Sequence, residues 1–67
     1  MSFTLKYTNI SESREIPHEG YTIKDLIMEL GLSTQTVVSK QNDELVIEDT
    51  VINDGDEIKL IQIIYGG

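Results

Sequence analysis

Apolar and polar residues alternate from the start of the chain: Phe3, Leu5 and Tyr7 are separated by Thr4, Lys6 and Thr8. A period of two predicts a strand with one buried face. The polar run from Asn9 to Ser13 predicts a turn. Arg14, Glu15 and Ile16 then predict a short second strand, stopped by Pro17, whose nitrogen has no hydrogen to give a ladder. The two strands are expected to form a hairpin.

The period then changes. Ile23, Leu26, Ile27 and Leu30 fall at i, i+3, i+4 and i+7, which is one apolar face of a helix. Thr22 precedes this run and Asp25 follows at the third helical position, the arrangement of a capping box. Gly31 supplies the stop. Such a helix, about nine residues long, is marginal by itself and must be held by packing on a sheet. Val37, Val38 and Ser39 open a third strand that runs to Gln41, and Asn42-Asp43 is a turn. Leu45, Val46 and Ile47 predict a short fourth strand. Glu48 to Asp56 is acidic and loop-like, closing in the turn Asn53-Asp54-Gly55-Asp56. The final strand begins at Glu57 and runs to Ile63. One helix across one mixed sheet of four to five strands is an α+β arrangement. The first and last strands are the most apolar, and are expected to be its central, parallel pair, with the helix in the crossover.

Composition narrows the class. A chain of 67 residues forms one domain with a thin core. Ten Ile, four Val and six Thr against no Ala favour strands over a helical bundle. The absence of cysteine excludes a disulfide scaffold, a thiolate zinc site and a cysteine nucleophile. A single histidine excludes a His-rich metal centre. Five basic residues against twelve acidic ones give a net charge of −7. That field opposes direct binding to nucleic acid or to an anionic membrane, and a protein partner with a basic face is its natural complement. Glu44, Glu48, Asp49 and Asp54 are expected to form a solvated acidic face that steers such partners. No run reaches the ~20 apolar residues of a membrane span. Residues Met1 to Lys6 lack the basic and apolar pattern of a signal peptide. A monomeric, cytoplasmic protein that is not itself an enzyme and needs no cofactor is expected.

The end of the chain carries the candidate chemistry. In the last strand Ile58 and Leu60 are expected to face the core, with Lys59, Ile61 and Ile63 outward. Ile61, Ile63, Ile64 and Tyr65 exceed what so small a core can bury. Lys59, Ile61, Ile63, Ile64 and Tyr65 are therefore the expected partner-docking surface. Gly66 and Gly67 lack Cβ atoms, so they fit a slot too narrow for other side chains and reach φ angles closed to them. The α-carboxylate of Gly67 is the reactive group. It becomes an acyl donor only after activation, and the chain has no phosphate-cradling loop, so a partner must supply the ATP chemistry.

Residues Asp54 to Gly67 resemble the C-terminus of the β-grasp sulfur carriers of the ThiS and MoaD type. The whole chain, through Thr36-Val37-Val38, Leu45-Val46-Ile47 and the terminal Ile64-Tyr65-Gly66-Gly67, resembles the archaeal ubiquitin-like small modifier proteins more closely still. The resemblance implies a ubiquitin-like β-grasp domain over residues 1–63 and a flexible Gly-Gly tail over 64–67. It implies that a ubiquitin-activating-type enzyme adenylates the Gly67 carboxylate. The product is then a thiocarboxylate, with sulfur from a partner's persulfide, or an isopeptide bond to a lysine of a target protein. Sulfur transfer of this kind serves tRNA thiolation and thiamine or molybdopterin synthesis. The Pro-containing segment that precedes the tail in MoaD-like chains is absent, and Tyr65 stands where ThiS-like chains often carry a small residue. The alternative is a β-grasp interaction module with an inert tail. Asp54-Gly55-Asp56 is expected to be a structural turn rather than a metal loop. His18 reads as an exposed loop residue, and Lys6, Lys24, Lys40 and Lys59 as surface lysines and weak candidates for self-conjugation.

Overall fold

Residues 1–63 are described by a computed structural model; Ile64, Tyr65, Gly66 and Gly67, and with them the expected tail, lie outside the described residues. The strands are β1 (Ser2–Tyr7), β2 (Ile10–Glu15), β3 (Val37–Gln41), β4 (Glu44–Val46) and β5 (Glu57–Gln62), with one helix, α1 (Ile23–Glu29). They form a single mixed sheet in the order β2-β1-β5-β3-β4. β1 and β5 pair in parallel, and every other neighbour is antiparallel. The expected central pair is therefore present, with α1 in the crossover between the two halves. This is the ubiquitin-like β-grasp.

The sheet buries one face under α1. Ile23, Leu26 and Ile27 of the helix join Phe3 and Leu5 of β1, Val37 of β3, and Ile58 and Leu60 of β5 in one cluster. Tyr21 and Ile52 complete it from the connecting loops. Leu5 sits opposite Ile58 in the parallel register, so the central pair contributes its two most buried residues to the same layer.

The helix forms at the expected place with a complete capping box. It spans seven residues rather than about nine, because Leu30 is already the cap. Gly31 turns away at φ 76°. Its N–H donates to the Met28 carbonyl, and Leu32 N–H to that of Ile27. These are the two bonds of a Schellman motif, which satisfies carbonyls left free at a helix end. The acidic loop after β4 serves the other end. The carbonyls of Thr50 and Glu48 accept from the N–H groups of Ile23 and Lys24, which have no intrahelical partner.

Two strand boundaries differ from the pattern. The expected turn from Asn9 to Ser13 is mostly strand: β2 begins at Ile10 after the two-residue turn Thr8-Asn9. Ile16 lies beyond it, its N–H donating to the Met1 carbonyl. β2 is an edge strand held by backbone pairing, and of its side chains Arg14 alone is even partly buried. No apolar alternation marks such a strand. β4 begins at Glu44, one residue early, because the two-residue turn Asn42-Asp43 sets Gln41 opposite Glu44. Ile47 falls past its end and is 71% exposed. β5 ends at Gln62, yet Ile63 N–H still reaches the Thr36 carbonyl at 2.8 Å.

Candidate functional site

β5 is the middle strand, and its alternation divides the expected docking residues from the core as the sequence predicts. Ile58 and Leu60 are buried, while Lys59, Ile61 and Ile63 are exposed. Ile61 lies opposite Val38 of β3, so the outer face of the sheet carries an apolar pair beside Lys59. Val38 has no distinguishing feature in the sequence; the β3–β5 register places it there. Of the expected docking residues, Lys59, Ile61 and Ile63 share this region, while Ile64 and Tyr65, like Gly66 and Gly67, lie outside the described residues.

Beside this face the ends of β1 and β5 enclose a shallow depression of ≈ 340 Å³, bordered by Lys6, Thr8, Lys59, Ile61 and Gln62. Its rim is fixed by the Tyr7 hydroxyl, which donates to Gln62 Oε1 at 2.7 Å. Thr8 turns the chain here at φ 57°.

The turn before β5 sets where that strand starts. Asp56 accepts from Gln41 Nε2 at 2.7 Å, Asn42 Nδ2 at 3.0 Å and Asn53 N–H at 2.8 Å. Asn42 Oδ1 accepts from Glu57 N–H at 2.9 Å. Asp54 accepts from Ser2 N–H at 2.9 Å. These carboxylates tie β1, β3 and β5 together, so Asp54-Gly55-Asp56 is a structural turn. Among the described residues no group of three His, Asp or Glu side chains is placed to hold a metal ion. His18 is exposed, its ring edge-on to Tyr21 at 5.6 Å.

The helix side of the molecule carries a separate polar cluster. Tyr21 donates its hydroxyl to Glu29, and Arg14 lies 3.5 Å from Glu12 and 3.9 Å from Glu29. Burial first, and then the bond to Glu29, push the Tyr21 phenol well above its ordinary range. A phenol so held stays protonated and acts as a structural donor. Among the described residues no helix is long and apolar enough to cross a membrane.

Two comparisons bear on this architecture. The crystal structure of SAMP1 from Haloferax volcanii matches with a TM-score of 0.72 over 100% of both chains at 16% sequence identity. At that identity the likeness speaks for the fold, the five-stranded β-grasp with one helix. The ThiS family model matches residues 4–67, from β1 through the two terminal glycines. The sheet order and a family match over nearly the whole chain agree: this chain belongs to the ThiS family and has the ubiquitin-like β-grasp fold.

Proposed function

We propose that the chain is a protein co-substrate, with residues 1–63 as the scaffold and 64–67 as the tail that reacts. A ubiquitin-activating-type enzyme adenylates the Gly67 carboxylate, with release of pyrophosphate. The acyl group then leaves AMP for one of two acceptors. One is a partner's persulfide, giving an acyl disulfide that a second thiol of the partner reduces to the thiocarboxylate, with a disulfide left on the partner. The other is the amine of a target lysine, giving an amide. The outer face of β5, with Lys59, Ile61 and Ile63, presents the domain to the activating enzyme, and Ile64 and Tyr65 extend that contact toward Gly66-Gly67. The observation that carries this reading is the family match that runs through residue 67 and so takes in both glycines. Proteins of this kind are generally not enzymes themselves, which agrees with a chain that lends one carboxylate and leaves the ATP chemistry to its partner.

Deletion of Gly66-Gly67 tests it. ATP–pyrophosphate exchange by the activating enzyme of the same organism should be lost. The folding stability should stay within about 0.5 kcal/mol, as for a change away from the core. Intact-mass analysis of the native protein distinguishes the two products. Replacement of one terminal oxygen by sulfur supports the carrier, and a C-terminal remnant on target lysines supports the modifier. Exchange that survives the deletion would leave the interaction module with an inert tail in its place.

A further inference from the structure

The strand register gathers three of the chain's lysines on one rung of the sheet. Lys6 of β1 pairs with Lys59 of β5, and Lys59 pairs with Lys40 of β3. Ser11 and Leu45 extend the rung to β2 and β4, so it crosses all five strands. Residues paired across strands project to the same side. The residues that alternate with the lysines, Leu5, Ser39, Ile58 and Leu60, are buried under α1. All three lysines therefore stand on the outer face, on strands about 4.8 Å apart.

Folding alone gives no reason for this row, since like charges directly opposite on neighbouring strands destabilise a sheet. Glu57 answers Lys6 at 3.0 Å. Among the described residues neither Lys40 nor Lys59 has an ion-pair partner. Yet twelve acidic side chains are available in the chain. Of these Glu57 pairs with Lys6 and Glu15 with the Met1 ammonium, Glu12 and Glu29 lie around Arg14, Asp25 is in the helix cap, and Asp54 and Asp56 are in the turn before β5. The next rung along β5 is the apolar pair Ile61 and Val38. The net charge of −7 predicts a basic partner, but the docking face has the opposite local sign.

We infer that the outer face of β5 docks a protein surface with carboxylates around an apolar centre, so that Lys6, Lys59 and Lys40 meet the carboxylates while Ile61 and Val38 meet the centre. This rests on the proposed activation and gives the chemistry of the partner's face. A second copy of this chain is a poor occupant, because it would bring the same lysine row to the contact. An RNA backbone would have to approach against the net charge.

The test uses the full-length chain and the purified adenylating enzyme of the same organism. The association rate of the unaltered chain should fall as NaCl rises from about 0.05 to 0.3 M, as for attracting charges. The double variant K40E/K59E should associate roughly tenfold more slowly at low salt and lose that dependence. K40Q/K59Q should fall between, and K24E, on α1, should match the unaltered chain. Circular dichroism confirms that each variant is folded. Unchanged association by K40E/K59E overturns the inference, as does a rate that rises with salt for the unaltered chain. Tight lysine-dependent binding of a single-stranded RNA, or lysine-dependent dimerisation in sedimentation, assigns the face to a different occupant and overturns it too. If pyrophosphate exchange requires Gly66-Gly67 but K40E/K59E behaves as the unaltered chain, the docking inference alone fails. If the unaltered chain supports no exchange, the proposed function fails and the inference with it.

Discussion

Thr22 and Asp25 bind each other's backbone. Thr22 Oγ1 accepts from Asp25 N–H at 3.2 Å, and Asp25 Oδ2 accepts from Thr22 N–H at 3.0 Å. The bond from the Thr22 backbone, and after it that from the Thr22 side chain, hold the Asp25 carboxyl below its ordinary value of 3.8. A carboxylate whose pKa is lower folded than unfolded adds stability above the ordinary value. That stability is lost as the pH falls through the lowered value. Asp25→Ala should therefore melt earlier than the unaltered chain at pH 7, and the gap should close as the pH is taken well below 4. Thr22→Ala removes the cap itself and should cost about 1 kcal/mol. Thermal unfolding across that pH range checks both. A gap for Asp25→Ala that stays constant down to the lowest pH would mean that its charge contributes nothing. Because the cap serves α1 and the lysine row lies on the opposite face of the sheet, neither change should alter association with the adenylating enzyme.

The β1–β2 hairpin shows what strand pairing demands and what a pattern reveals. Tyr7 pairs with Ile10, so Thr8 and Asn9 alone make the turn. Thr8 does so at φ 57°, where a β-branched residue is strained. Left-handed backbone costs about 1–2 kcal/mol for such a residue, and glycine returns part of the gain as unfolded-state entropy. Thr8→Gly should thus stabilise the protein by up to about 1 kcal/mol, seen as a higher urea midpoint at constant slope; a lower midpoint would show that Thr8 is not strained. This turn also explains why the hairpin was only half legible. β1, α1, β3 and β5 each bury alternate or heptad-like positions, and their burial writes a period into the sequence. β2 buries almost nothing, and its turn uses a residue that turn statistics disfavour, so the strand reads as a loop. β4 slipped by one residue for a related reason: Asn42 and Asp43 both adopt positive φ, at 52° and 70°, and make the tightest hairpin turn. The outward positions of Lys59, Ile61 and Ile63 were legible because inward and outward alternate within one strand. Lys6, Val38 and Lys40 were not, because their nearness to β5 is set by register between segments far apart in the chain.

Charge acts on the whole molecule in two opposite ways. Seven excess negative charges repel one another more in the compact state than in the unfolded chain. Salt screens that repulsion, and its screening length shrinks from about 10 Å at 0.1 M to about 3 Å at 1 M. Salt also weakens the ion pairs Lys6–Glu57, Arg14–Glu12 and Arg14–Glu29. Pairs as exposed as these are worth only about 0–1 kcal/mol each, and screening also relieves the crowding of Lys6, Lys59 and Lys40. Repulsion therefore wins, and NaCl should raise the unfolding temperature of the free chain while it slows association with an acidic partner. K40E/K59E separates the two effects. Each Lys→Glu change subtracts two charges, so the net charge goes from −7 to −11. The double variant should gain more thermal stability from salt than the unaltered chain does, because more repulsion is there to screen. Its association should no longer slow with salt, because the attracting row is gone. Melting curves and association rates over the same NaCl series measure both slopes. An unfolding temperature that falls with NaCl in the unaltered chain would show that the surface pairs, and not the excess negative charge, dominate the electrostatics of the fold.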